Sequence, residues 1–84
     1  MNAVMGLVVR SKAGRDKNIF FVITEVCGEY VYISDGRYRP LENQKKKNIK
    51  HLAFTAITIP TSSLKTNKQI KKALHSYNYG TVQS

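Results

Sequence analysis

Apolar residues in this chain come in short runs broken by glycine: "MGLVVR" at 5–10, "IFFVITEV" at 19–26, "EYVYIS" at 29–34 and "HLAFTAITIP" at 51–60. The runs are rich in β-branched and aromatic residues, and the last two alternate, so the chain is constrained towards a small sheet of short strands. Val31 and Ile33 are expected to face the core, with Tyr30 and Tyr32 on the opposite face. Cys27-Gly28 and Asp35-Gly36 supply turns. Pro40 argues against a central strand, and Glu42-Asn43-Gln44 suits a second short hairpin. Five short strands within residues 1–60 read as a small antiparallel barrel, whose closure would remove the exposed edges that invite aggregation.

The chain has 84 residues, enough for one small domain and too few for two independent cores. Residues 61–84 differ from the rest. Thr66-x-x-Gln69 is a helix-capping pattern, Ile70, Ala73, Leu74 and Tyr77 follow at helical spacing, and Gly80 lies beyond. A helix is predicted from Asn67 to Tyr77, after a linker and before a frayed tail, "TVQS". Its narrow apolar stripe, Ile70, Leu74 and Tyr77, needs cover from the barrel or from a partner. Lys68, Lys71 and Lys72 lie elsewhere on its surface.

Charge narrows the function. Fourteen Lys and Arg against five Asp and Glu give a net charge of +9, which favours densely anionic partners. No run approaches the roughly 20 apolar residues of a spanning helix, and the N-terminus lacks the features of a signal peptide, so a cytoplasmic protein without a membrane partner is expected. The single cysteine, Cys27, excludes an internal disulfide and a CxxC metal knuckle, and reads as a buried thiol or strand-end residue. His51 and His75 have no Cys or carboxylate at ligand spacing, so neither a metal nor another cofactor is expected. The five acids are scattered singly and no glycine-rich nucleotide fingerprint follows a strand, so neither an enzyme nor a small-molecule substrate is expected.

Two basic segments remain. In "SKAGRDKN", Lys12, Arg15 and Lys17 cluster around Gly14, which leaves the backbone open to close approach by a phosphate. Arg15 offers a planar fork and the lysines point charges. Asp16 caps the turn or orients Arg15. "KKKNIK" adds Lys45, Lys46, Lys47 and Lys50 with only Glu42 nearby, so anion binding outweighs mere solubility. In an up-and-down meander the first and third connections emerge at the same end, which would bring Arg37 and Arg39 beside Arg15. Tyr30 and Tyr32 read as cross-strand packing, whereas Tyr38, between two arginines, suits either packing or base stacking.

The stretch "GLVVRSKAGRDKNIFFVITEV" resembles a KOW motif, a strand leading through a basic glycine-containing loop to a second strand, and "YVYISDGRYRPLENQKKKNIKHLAFT" resembles the remainder of the short bacterial KOW-domain RNA-binding proteins. These are similar to KOW-type proteins of the large ribosomal subunit. The resemblance spans about residues 5–55 and implies an SH3-like barrel that binds RNA, with Gly14 shaping the loop. It further implies that Lys12, Arg15 and Lys17 contact the backbone and that Lys45, Lys46, Lys47, Lys50 and His51 form a second contact region. The long basic extension of many ribosomal members is lacking, and Ala53-Phe54 stands where related proteins often have a more polar or proline-bearing turn. Both departures favour a ribosome-associated factor over an integral ribosomal protein. The expected partner is therefore RNA, ribosomal RNA foremost, with ribosomal or transcription proteins beside it. The alternative is an SH3-like protein-interaction module in a transcription or translation complex, and a weaker one is non-specific binding to duplex DNA.

Overall fold

The computed structural model describes residues 2–80. Five strands, β1 (Leu7–Ser11), β2 (Phe20–Cys27), β3 (Tyr30–Ser34), β4 (Lys45–Asn48) and β5 (Leu52–Thr58), precede one helix, α1 (Asn67–Tyr79). Every strand pairing is antiparallel, and the order across the sheet is β4-β3-β2-β1-β5. The outermost strands, β4 and β5, are consecutive in the chain and joined by a 3-10 turn at Ile49–His51. No ladder pairs them, so the sheet is not closed. The Cα radius of gyration is 11.8 Å.

Strand β1 and the first half of β2, through Ile23, are buried on both faces, which is why they read as continuous apolar runs and not as alternations, whereas β2 from Glu25 to Cys27 is exposed. Opposite residues in the ladder share a face, and Val9 and Phe21 join Leu7, Ile23, Val31, Ile33 and Leu52 in one cluster. Their neighbours Val8 and Val22 point the other way, into a second cluster with Leu64, Ile70 and Leu74. The expected faces of β3 hold: Val31 and Ile33 are fully buried, Tyr30 is exposed and Tyr32 half-buried.

The alternation expected along 51–60 fails at its end. Between the pairs Val9↔Phe54 and Leu7↔Thr58 the register shifts, so β5 carries more residues than β1 there, the signature of a bulge. Thr55 fills the gap by donating its hydroxyl to the Val8 carbonyl at 2.7 Å, and Ile57 is left 39% exposed. Pro40 leads into a 3-10 turn, Leu41–Asn43, so the hairpin that joins the antiparallel strands β3 and β4 has a long connection from Asp35 to Gln44 in place of the short one expected. Cys27 ends β2 and is exposed.

The helix begins where the capping pattern places it. Thr66 Oγ1 accepts from the Gln69 amide, and the Gln69 side chain accepts in return from the Thr66 amide. It runs through Tyr79, two residues beyond the expected end. Ile70 and Leu74 are buried on the sheet, and Tyr77 packs on Phe20 with ring centroids 5.4 Å apart. Burying a large aliphatic side chain contributes about 1.5–3 kcal/mol, so two such anchors hold a helix that would be marginal alone. The Asn78 side chain fixes the far end: its carbonyl accepts from the Phe20 amide at 2.7 Å and its amide donates to the Phe20 carbonyl at 3.1 Å. The expected frayed tail, 81–84, lies outside the described residues.

Candidate functional site

The β1–β2 connection is a closed loop. Ser11 and Asn18 donate their amides to Ile19 and Ser11 carbonyls, at 3.0 and 2.8 Å, and Lys17 donates to the Gly14 carbonyl at 3.2 Å. Gly14 has φ +86°, a conformation that favours glycine, so its expected loop-shaping role has a geometric basis.

Asp16 organises the inside of this loop. Its Oδ1 accepts from the buried Ser11 hydroxyl at 2.7 Å and from Lys47 Nζ at 3.0 Å. Lys45 Nζ lies 3.2 Å from Oδ2, an ion-pair distance without the alignment of a directed hydrogen bond. Burial pushes the Asp16 carboxyl up, but the Ser11 and Lys47 hydrogen bonds and the nearby Lys45 ammonium together outweigh it and hold the group at about 2. Lys47 also donates to the Ala13 carbonyl at 2.9 Å and is only 8% exposed. Two expected contact residues are thereby reassigned. Lys47 ties β4 to the opening loop from inside, and Lys45 is partly committed to the same carboxylate. Asp16 pairs with these lysines and Ser11; no contact of its carboxylate orients Arg15. The other Lys and Arg side chains have no ion-pair partner among the described residues.

Pleating explains the division of the lysine run. Side chains at Lys45 and Lys47 point inwards to Asp16, while Lys46 between them points outwards, its ammonium 5.0 Å from the centroid of the Tyr30 ring. Beside it, Ala13, Gly14, Tyr30, Lys46, Asn48, Lys50 and His51 border an open groove of about 460 Å³. Lys46, Lys50 and His51 are exposed there.

The expected convergence of the first and third connections is present. Arg15, Asp16, Ile19, Phe21, Tyr38, Arg39 and Lys45 line one cleft of about 470 Å³. Asp35 shapes the second rim by accepting the amides of Arg37 and Arg39 at 3.0 and 2.8 Å. Gly36, at φ +75°, lets this turn press against the start of α1: a Cβ there would stand 2.4 Å from the Asn67 carbonyl oxygen. Tyr38 is 64% exposed on the cleft. Arg37 turns away from it, donating to the Tyr79 hydroxyl on α1.

Lys12, Arg15 and Lys17 are exposed on the loop and Arg39 half-buried in the cleft. The stripe Ile70, Leu74 and Tyr77 is covered by the sheet and is not free to seat on a partner. Reasoning from sequence missed Ser11 as the hydroxyl that supports Asp16, and the link from Arg37 to the helix. A lone acid between cations, five residues beyond a serine that ends an apolar run, was the available signal for the first.

Among the described residues no group of three His, Cys, Asp or Glu stands close enough to hold a metal ion, and no helix is long and apolar enough to cross a membrane. No protein-family model matches the chain, and no curated protein matches it.

Proposed function

We propose that this protein is a non-enzymatic RNA-binding module of the KOW type, ribosome-associated or otherwise linked to translation in the cytoplasm, which holds RNA phosphates with its basic loops. The observation that carries the reading is the cluster of unpaired cations around Gly14. Lys12, Arg15 and Lys17 stand exposed on a closed loop, with Arg39 and Tyr38 across one cleft and Lys46, Lys50 and His51 along the neighbouring groove. Arg15 suits a bidentate phosphate contact and Tyr38 a base face. The finer fold belongs to the same proposal. A five-stranded antiparallel sheet with one apolar cluster drawn from β1, β2, β3 and β5, and a 3-10 turn between its last two strands, is compatible with an SH3-like barrel.

Of the two grounds for the protein-interaction alternative, the helix stripe is covered by the sheet, and the other, that SH3-like barrels also bind peptides, is separated from RNA binding by charge reversal. Fluorescence anisotropy with a structured RNA across a salt series tests the proposal. Neutralising about four or five phosphates gives a log-log salt slope near −3 to −4 with the single-strand coefficient, steeper for duplex. Arg15→Glu with Lys17→Glu should abolish binding while leaving the thermal midpoint within a few degrees of the parent. A salt-insensitive complex, or one that survives both reversals, refutes it.

A further inference from the structure

The outward face of α1 is as basic as the loops, although the proposed function does not use it. Lys68, Lys71, Lys72, His75 and Tyr79 recur at helical spacing on the side opposite Ile70 and Leu74, so all five reach solvent together. With Arg37 they line a cleft of about 610 Å³ that no carboxylate borders. The acids on the adjoining turns stay outside this cleft: Asp35, whose charge also acts on Arg37, accepts the backbone amides of its own turn, and Glu42 accepts from the Asn67 side chain at 2.7 Å. Such a set of cations is mutually repulsive until a counter-charge arrives.

Planar groups connect this face to the loops. The Arg37 guanidinium lies 5.1 Å from the Tyr38 ring centroid and 5.7 Å from that of Tyr79, and His75 stacks at 5.2 Å on Tyr79 in a tilted geometry. A small groove of about 210 Å³, lined by Asn18, Ile19, Asp35, Tyr38, Asn78 and Tyr79, shares Ile19 and Tyr38 with the loop cleft and Tyr79 with the helix cleft. One surface thus runs from the Gly14 loop over Tyr38 to the helix.

We infer that the outward face of α1 is a second phosphate-binding surface, on which Lys68, Lys71, Lys72 and Arg37 hold the continuing backbone of the same RNA. It rests on the RNA-binding reading and extends its footprint from the loops to the helix. Lysines suit this role because a point charge follows a flexible backbone, while Arg37, steadied between two rings, presents its remaining N–H groups in a fixed direction.

The test is binding of a fluorescent RNA hairpin over a salt series by three proteins: the parent, the combined variant Lys68→Ala, Lys71→Ala and Lys72→Ala, and the control Lys65→Ala, an exposed lysine that does not line the cleft. Loss of three phosphate contacts should flatten the log-log slope by about 2 and weaken binding roughly ten- to hundredfold at 0.1 M salt. The matching triple Lys→Arg variant should retain both the slope and the affinity. A triple alanine variant with the slope of the control, while Arg15→Glu with Lys17→Glu still loses the RNA, overturns the helix surface and leaves the loop reading standing. A parent protein that binds no hairpin at low salt overturns both.

Discussion

Asp16→Asn separates a role in holding the loop from a role in charge. The carboxyl is held at about 2 against an ordinary 3.8, and a depression of that size corresponds to about 2.5 kcal/mol of folding stability at neutral pH. The asparagine would also leave the Lys47 ammonium, its side chain only 9% exposed, without a counter-charge on the loop, with neutral carbonyl oxygens as its only acceptors there. Breaking a buried pair from one side costs about 3–5 kcal/mol, less where solvent still reaches the group. We therefore expect a loss of about 2–3 kcal/mol for Asp16→Asn in urea denaturation at pH 7, a sizeable part of the roughly 4–13 kcal/mol typical of a domain this size. Because the folded value is depressed, the Asp16 contribution is present above pH 3.8 and is lost as the pH falls through about 2. The gap between parent and variant should narrow across that window. Lys47→Met in the Asp16→Asn background should recover much of the loss, since a buried cation no longer lacks its partner. Asp16→Asn by itself raises the net charge by one, so charge alone predicts tighter RNA binding, whereas a loosened loop predicts weaker binding; we expect the weaker. A stability change under about 0.5 kcal/mol, no coupling to Lys47, or a gap independent of pH would refute the reasoning.

Gly36→Ala forces a methyl to within 2.4 Å of the Asn67 carbonyl oxygen at a positive φ; it should cost at least about 2 kcal/mol in chemical denaturation and displace the Arg37 turn from α1. Asn78→Ala removes the side-chain partners of both the Phe20 N–H and the Phe20 C=O, which should cost about 1–3 kcal/mol and lower the thermal midpoint, with little change in the salt slope of RNA binding at temperatures where the variant is folded.

Much of the architecture was legible because the signals are local. The capping pair Thr66 and Gln69, the β3 alternation and the Asp35-Gly36 turn each act within a few residues, and strand parity then brought Arg15 and Arg39 to one end. What was not legible depends on distance. Lys45, Lys46 and Lys47 look alike in sequence, yet their difference is set by pleating and by Asp16 across the loop. Read with a period of two beside a lone acid, the run would have divided inward and outward lysines. The bulge at Thr55 turns on a hydroxyl reaching Val8, which alternation alone does not reveal. The cation stripe from Lys68 to Tyr79 was visible at helical spacing, but only the fold brings Arg37 to its side.

Sharing β1 and β2 between two apolar clusters also bears on how this molecule opens. If α1 detaches, Val8 and Val22 lose their cover while Val9, Phe21, Ile23, Val31 and Ile33 stay enclosed, so the sheet retains one intact cluster. Cooperative units of this kind exchange their amide protons at separate rates. The helix, the Asn78 clamp and the Arg37 contact should therefore exchange as a unit ahead of β1, β2 and β3 in native-state hydrogen exchange, a partial release that would leave the Gly14 loop in place.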